Sequence, residues 1–348
     1  MEKKMFDPNS EIQIPDLSQT SPPPTAPPTA PPVSAIAPRP TKLRPVAIAL
    51  FVIGVAAAVL GGLKFLPGGI GTGIAFGFFG ILLFVLSFVR LPQVGGEVEP
   101  AMTGFEKLAG IFYEPTRVFK NLRAHPHWLA AYLVIVIASG IYSFAFVQRL
   151  TPERIVEHTM EKMQESPIKP PPEAMDKVRE DSLQTAKQPV QRVQTFAKGF
   201  VAWFVFGCFL SGLLTVGVLA FGGRINFWQA LAASFYGFVP VIVITKVVSL
   251  VILYVKAPED IHPILNAESL VQDNLGILFT PATQPALFVL GSSIGLLSLY
   301  GLWLRAKGLM NAGTKVSSTA AWSVTIVFFV LAMLLGMVFA TLFSSFMS

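Results

Sequence analysis

One charged side chain lies deep inside an apolar run of this 348-residue chain: Lys246, in VPVIVITKVVSLVILYV. An ammonium at such depth is costly in a bilayer and marks a functional position by default. Thr245 and Ser249 lie beside it and can share hydrogen bonds, and Pro240 can open the backbone earlier in the same run. No Asp or Glu falls within any apolar run to pair with the lysine. Two readings stand. Lys246 lies beyond the midpoint of its run, so its stem can snorkel the ammonium to the nearer surface. Alternatively, the ammonium meets a substrate, a lipid or a backbone carbonyl. Lys246, Thr245 and Ser249 are therefore the candidate binding residues.

The remaining chemistry-bearing residues are sparse. His125 and His127 flank Pro126, but two imidazoles make no metal site without Cys or carboxylate ligands at the right spacing, and they read as interfacial hydrogen bonders. His158 and His262 are isolated. The lone Cys208 permits no disulfide within one chain and reads as packing. The segment GGIGTG at 68–73 lacks the Gly-Lys-Ser/Thr of a phosphate loop. No Ser/His/Asp set, intramembrane carboxylate pair or His-Glu-x-x-His helix is present. The expectation is a non-enzyme, with no metal and no cofactor.

The elements that must carry these residues are apolar runs at 46–66, 69–89, 128–148, 199–221, 227–255, 286–304 and 321–345. A helix of about 20 apolar residues crosses a bilayer's hydrocarbon core. The composition agrees, with 53% hydrophobic and 13% charged residues against about 25% charged in soluble domains. The spacing predicts an all-α, polytopic transmembrane bundle of about seven spans: a two-span N-terminal hairpin plus five more. The net charge of +6 reads as topology determinants and headgroup contacts, not as a nucleic-acid surface.

Three domains are expected. Residues 1–45 carry PPPTAPPTAPP and form a disordered, Pro-rich tail, with docking to a proline-reading module as an alternative. Residues 46–102 form the hairpin and its linker. Small residues Gly54, Ala58 and Gly62, then Gly69, Gly73 and Gly77, recur every four positions and should let the helices approach closely. Residues 103–348 hold the rest. There, 104–123 is amphipathic, with Phe105, Leu108, Ile111, Phe112, Val118, Phe119 and Leu122 on one arc. Glu106, Lys107, Glu114, Arg117 and Lys120 lie opposite. Pro115 should split the stretch into two helices that lie in the headgroup region or pack on the bundle. The long loop 149–198 reads as an extramembrane helical hairpin with Thr151 as a cap and a break at SPIKPPPE, and shows no visible site.

Charge sets the orientation. Arg39, Lys42 and Arg44 precede the first run. Segments 90–127, 222–226 and 305–320 carry Arg90, Lys107, Arg117, Lys120, Arg123, Arg224, Arg305, Lys307 and Lys315. The opposite short segments hold Lys64, and Lys256 against Glu259, Asp260, Glu268 and Asp273. By the positive-inside rule the N-terminus is cytoplasmic and the C-terminus external.

From about residue 103 onward the chain resembles the Yip-one domain family of Ypt/Rab-interacting polytopic membrane proteins. In EPTRVFKNLRAHPHW, Pro115, Phe119, Pro126 and Trp128 match the family's lead-in to its first span. In FWQALAASFYGFVPVIV, Gln229, Tyr236 and Pro240 match its Phe-x-Gln…Tyr…Pro order. In LWLRAKGLMNAGTKVSSTAAW, Trp303, Gly308, Leu309 and Lys315 resemble the turn before its last span. The Asp-Leu-x-Gly-Pro lead-in of eukaryotic members is absent, and their Tyr-Gly-Tyr-Ser is echoed only by Tyr236-Gly237-Phe238, so the resemblance is to a bacterial-type member. It implies five spans with the N-terminus cytosolic, no catalysis and no cofactor. The expected function is an integral membrane scaffold or adaptor; the alternative is a transporter or channel for a small solute or ion. Expected partners are the lipid bilayer and other proteins, with self-association open and nucleic acid excluded. The expected location is a bacterial cytoplasmic (inner) membrane, the alternative a Golgi or ER endomembrane.

Overall fold

In a computed structural model, residues 41–342 are described apart from 42, 64, 66–68, 91–99, 166–170 and 188. The Pro-rich tail at 1–40, most of the LPGG turn, the linker at 91–99, most of the SPIKPPPE break and the last residues, 343–348, lie outside the described residues. Those described form twelve α-helices and no strand.

The first two, α1 (Arg44–Gly62) and α2 (Gly69–Leu86), make the expected hairpin. Their backbones touch: a Cβ at Gly54 would fall 2.8 Å from the Gly73 carbonyl oxygen. The seam differs in register from the expectation, since Gly62 faces open space and Gly80 joins the contact, 2.9 Å from the Ala47 carbonyl oxygen. Small residues let dispersion act between backbones where no hydrophobic effect separates helix from lipid.

Next come α3 (Gly104–Tyr113) and α4 (Pro115–Ala124). Thr103 and Glu106 exchange backbone hydrogen bonds in a capping box that starts α3. Pro115 supplies the first residue of α4, where its missing N–H costs nothing. The bundle then runs through α5 (Leu129–Leu150), α6 (Pro152–Glu165), α7 (Pro172–Lys187), α8 (Pro189–Ala220) and α9 (Phe227–Val255). It closes with α10 (Pro285–Ser293), α11 (Leu296–Ala312) and α12 (Ser318–Leu342). Helix α9 is central, packing on α5, α8 and α11, and it continues unbroken through Pro240. Trp128, Tyr132, Phe204 and Phe235 form its main aromatic layer with α5 and α8. The hairpin joins the same layer through Phe79, whose ring meets Phe204 edge-on at 4.9 Å.

Five helical segments are long and apolar enough to cross a membrane: α1, α5, residues Phe196–Ala220 of α8, α9 and α12. Residues Ile70–Leu86 of α2 form a shorter apolar helix. The run at 286–304, expected as one continuous span, is instead divided between α10 and α11. The break has a physical cause. The strand-like segment Asp273–Leu275 inserts at Ile294–Gly295, with the Leu275 N–H donating to the Ile294 carbonyl at 3.1 Å. Asp273 then caps α11, accepting from the Leu297 N–H through Oδ2 at 2.7 Å and from the Leu296 N–H through its carbonyl. Gly291 admits the intruding chain, because a Cβ there would lie 2.8 Å from the backbone of Leu275. Irregular backbone at membrane depth is tolerated where protein satisfies its polar groups.

Candidate functional site

Lys246 is carried on the face of α9 that also bears Ser249, one turn on, and both are buried. The carboxylate missing from the apolar runs arrives from the loop after α9. The Lys246 ammonium donates to the backbone carbonyl of Glu268 and lies 3.3 Å from its Oε2. It also stands 4.8 Å from the centre of the Tyr142 ring, a cation–π contact with α5. The pair is asymmetric, with the lysine side chain 8% exposed and the Glu268 side chain 89% exposed.

The loop reaches this depth because it folds back between α5 and α9. Ile261 and Leu270 are buried against Tyr142, Phe146, Leu150 and Leu253. Polar contacts pin it. The Tyr142 hydroxyl donates to the Asn266 carbonyl at 2.6 Å, and Ser249 Oγ accepts from the Leu270 N–H at 3.0 Å. Ser249 and Ser269 hydroxyls lie 3.2 Å apart. From α6, Arg154 donates to the carbonyls of Pro258, Glu259 and Ile261. The structure places Lys246 and Ser249 on one buried face, while Thr245 is only half-buried; of the three, Lys246 alone lines the neighbouring cleft. Sequence reasoning missed Glu268, Tyr142 and Asn266. No local signal marks a loop glutamate as the partner of a lysine 22 residues earlier.

Beside Lys246 lies a cleft of about 1000 Å³ between α5 and α8. The two helices are joined where Tyr132 donates to the Phe200 carbonyl. Phe144, Phe196, Phe200 and Trp203 supply apolar walls; Lys246 and Glu268 supply charge. Ser139 Oγ, on a cleft-lining residue of α5, is buried without a hydrogen-bond partner. The rim includes Thr151 and Glu153 at the start of α6 and Ser182 of α7, so the α6–α7 hairpin, read from sequence as lacking a site, borders one. Thr151 itself adopts a left-handed backbone with φ 66°.

The opposite end of the bundle holds the motif residues. Phe119 is fully buried, its ring against Gly308 of α11, where a Cβ would meet it at 3.2 Å. Gln229 donates through Nε2 to the Arg123 carbonyl at 2.7 Å and accepts through Oε1 from the Asn226 N–H, closing the α9 capping box. Trp128 stacks within the aromatic layer, and Pro115 opens α4. Tyr236 and Pro240 are buried in α9, and the Tyr236 hydroxyl has no hydrogen-bond partner. Arg123 ties α4 to α11 through the Asn311 carbonyl, and Arg224 pairs with Thr314 across the turns before α9 and α12.

Here one expectation is corrected. Lys107 does not lie on the polar face with Glu106 and Arg117. It is fully buried and donates to the His125 carbonyl at 3.1 Å. Phe105 and Phe112, assigned to the same arc as Ile111, point outward, with Phe105 81% exposed. The inward stripe of α3 is Lys107–Gly110–Ile111, because the cap docks on α5 and α9 along that line. Burial pushes the Lys107 ammonium down to about 8. The His127 imidazole is also held below its ordinary value, first by burial and then by the Lys107 charge. The capping bonds from Thr103 hold Glu106 below the usual carboxylate range.

No group of three or more His, Cys, Asp or Glu that could hold a metal occurs among the described residues. No curated protein and no solved structure matches the chain. A family model, the Yip1 domain, matches residues 109–340, from within α3 to near the end of α12. That match covers two thirds of the sequence and takes in both the motif-bearing end and the lysine cleft. The chain is a membrane protein of the Yip1 domain family.

Proposed function

We propose that this protein is a non-catalytic membrane scaffold that presents its α3–α4 end to partner proteins at the cytoplasmic surface. The observation that supports it best is the division of α3 into two working faces. Its inner line is locked into the core, while Phe105, Phe112 and Tyr113 stand exposed on the other side. An amphipathic helix with outward aromatics settles at the headgroup level. Such a cap would then hold a fixed depth and angle, as a docking platform requires. Basic residues gather at the same end: Arg44, Arg90, Arg117, Lys120, Arg224 and Lys315. On the positive-inside rule that end faces the cytoplasm.

The test is crosslinking in intact membranes, comparing wild type with a Phe105→Ser/Tyr113→Ser double variant. Both side chains are exposed, so the fold should persist. Loss of specific crosslinked partners supports the scaffold reading; an unchanged set of partners counts against the platform. A reporter fused after Ser348 that is active only in the cytoplasm would overturn the orientation.

The divided α10–α11 segment favours one second reading, carriage of a small solute, since transporters place discontinuous helices at their binding sites. Here, though, Asp273 and Leu275 already occupy the broken ends. Sustained selective flux through protein reconstituted in liposomes would install that reading in place of the scaffold.

A further inference from the structure

We propose that the cleft between α5 and α8 holds the phosphoethanolamine head of a diacyl phospholipid, with its phosphate on Lys246 and its ammonium on Glu268. This inference is independent of the scaffold reading. It begins with the walls. Phe144 and Phe196 line the cleft and remain exposed, so the cavity is open rather than enclosed. Its roughly 1000 Å³ stands at the upper limit of ordinary ligand pockets, about 300–1,000 Å³. These aromatic walls belong to the spanning segments Leu129–Leu150 and Phe196–Ala220, so they suit an acyl chain better than a soluble metabolite.

The charges select the head. Lys246 lies nine residues before the end of α9, about 14 Å along the helix axis, and its side chain is buried while that of Glu268 is exposed. A singly anionic head would take Lys246 and set its phosphate beside the Glu268 carboxylate, two like charges sharing one ammonium. A phosphocholine head carries both charges but no N–H to donate to a carboxylate. Phosphoethanolamine supplies both a phosphate and an N–H-bearing ammonium, so each member of the pair exchanges its partner for one of the same sign. The site starts and ends electrically neutral. The exposed Glu268 side chain is free to turn for that exchange, while the buried lysine stays in place. Ser143 is exposed on the α5 wall of the cleft and offers a further donor to the head or its ester oxygens. Ser139, one turn earlier on the same wall, keeps its hydroxyl buried.

The experiment is native mass spectrometry of the full-length protein in detergent, supplied with phosphatidylethanolamine, phosphatidylglycerol and phosphatidylcholine at equal concentration. Wild type should retain phosphatidylethanolamine about tenfold over either competitor, a difference of about 1.4 kcal/mol. Excess glycerophosphoethanolamine should not displace it. Ser139→Phe narrows the cleft beside the head and should weaken retention. Glu268→Gln changes a side chain that faces solvent, so it should fold normally and lose the preference over phosphatidylglycerol. Equal retention of the three lipids by wild type overturns the proposal. So does unchanged selectivity in Glu268→Gln, or unchanged retention in a Ser139→Phe protein that melts like wild type. Displacement by glycerophosphoethanolamine would show a site for a soluble head group alone, and would overturn it too.

Discussion

At the α3–α4 end, helices meet through side chains that fill space: Phe119 under Gly308, Trp128 between α5 and α8, Ile111 and Val118 with no exposure at all. At the α6–α7 end, α5 and α8 border an open cleft, and a loop is held beside it by hydrogen bonds and one ion pair. The two kinds of fastening differ in energy. Full burial of a Phe is worth about 1.5–3 kcal/mol, and an individual hydrogen bond nets about 1 kcal/mol. The difference also shows in what each end can do. Packed hydrocarbon has no substitute partner, so the cap holds one geometry. The loop is pinned by polar groups as well as by buried Ile261 and Leu270, and polar groups, unlike packed hydrocarbon, can exchange their partners for a ligand's. The proposed platform and the cleft are thus separated along the central helix α9.

The largest effect should come from breaking the packed end. Phe119→Ala leaves a cavity under Gly308 and should cost about 3–5 kcal/mol, read as a drop in thermal midpoint and as protease cleavage within 100–124. If the loss is below 1 kcal/mol, the contrast between the ends fails.

A second test uses the buried Lys107. Its amine is held near pKa 8 in the fold, against an ordinary value of 10.5, so the unfolded chain binds more protons between those values. Stability should therefore rise as pH increases from about 8 to about 10.5, by about 3 kcal/mol at most. Below pH 8 the amine is protonated in both states, and the cost of burying its charge is felt in full. Lys107→Met should remove this slope and raise stability near neutral pH. Thermal unfolding against pH distinguishes the two proteins.

At the other end, Glu268→Ala removes the carboxylate but leaves the backbone carbonyl that Lys246 also uses, so a loss of about 1 kcal/mol is expected. Hydrogen exchange should quicken at 262–270 and stay unchanged in α3 and α4. Exchange that quickened at both ends would mean that the two regions are one cooperative unit. The smallest effect belongs to Tyr236→Phe. Its buried hydroxyl has no partner, so deletion should be neutral or stabilising by less than about 1 kcal/mol, in contrast to Gln229→Ala, which loses two hydrogen bonds.

Much of the architecture was legible from the chain. Pro115 was expected to divide 104–123, and α3 ends at Tyr113 while α4 starts at Pro115. The close approach of α1 and α2 was legible from glycine spacing, though its register was not, since Gly80 rather than Gly62 enters the seam. The facing of α3 was misjudged for a specific reason. A hydrophobic arc identifies apolar residues without saying whether protein or lipid receives them, and both Ile111 and Phe105 satisfy it. Of the candidate site, Lys246 and Ser249 were visible because polarity stands out in an apolar run. Glu268 was not visible, since carboxylates are ordinary in an extramembrane loop.

The sequence by itself determined what could enter a bilayer, where α3 gives way to α4, and which charges mark one end. Those are local properties, decided by apolar run length, by the missing N–H of proline and by capping side chains. Only the tertiary structure decided that a loop returns to neutralise Lys246, and that Asp273 divides the run at 286–304 into two helices. Both depend on contacts between segments about 20 residues apart. In the first case a buried ammonium takes its partner from outside the span, and in the second the backbone N–H groups at the break take theirs from Asp273.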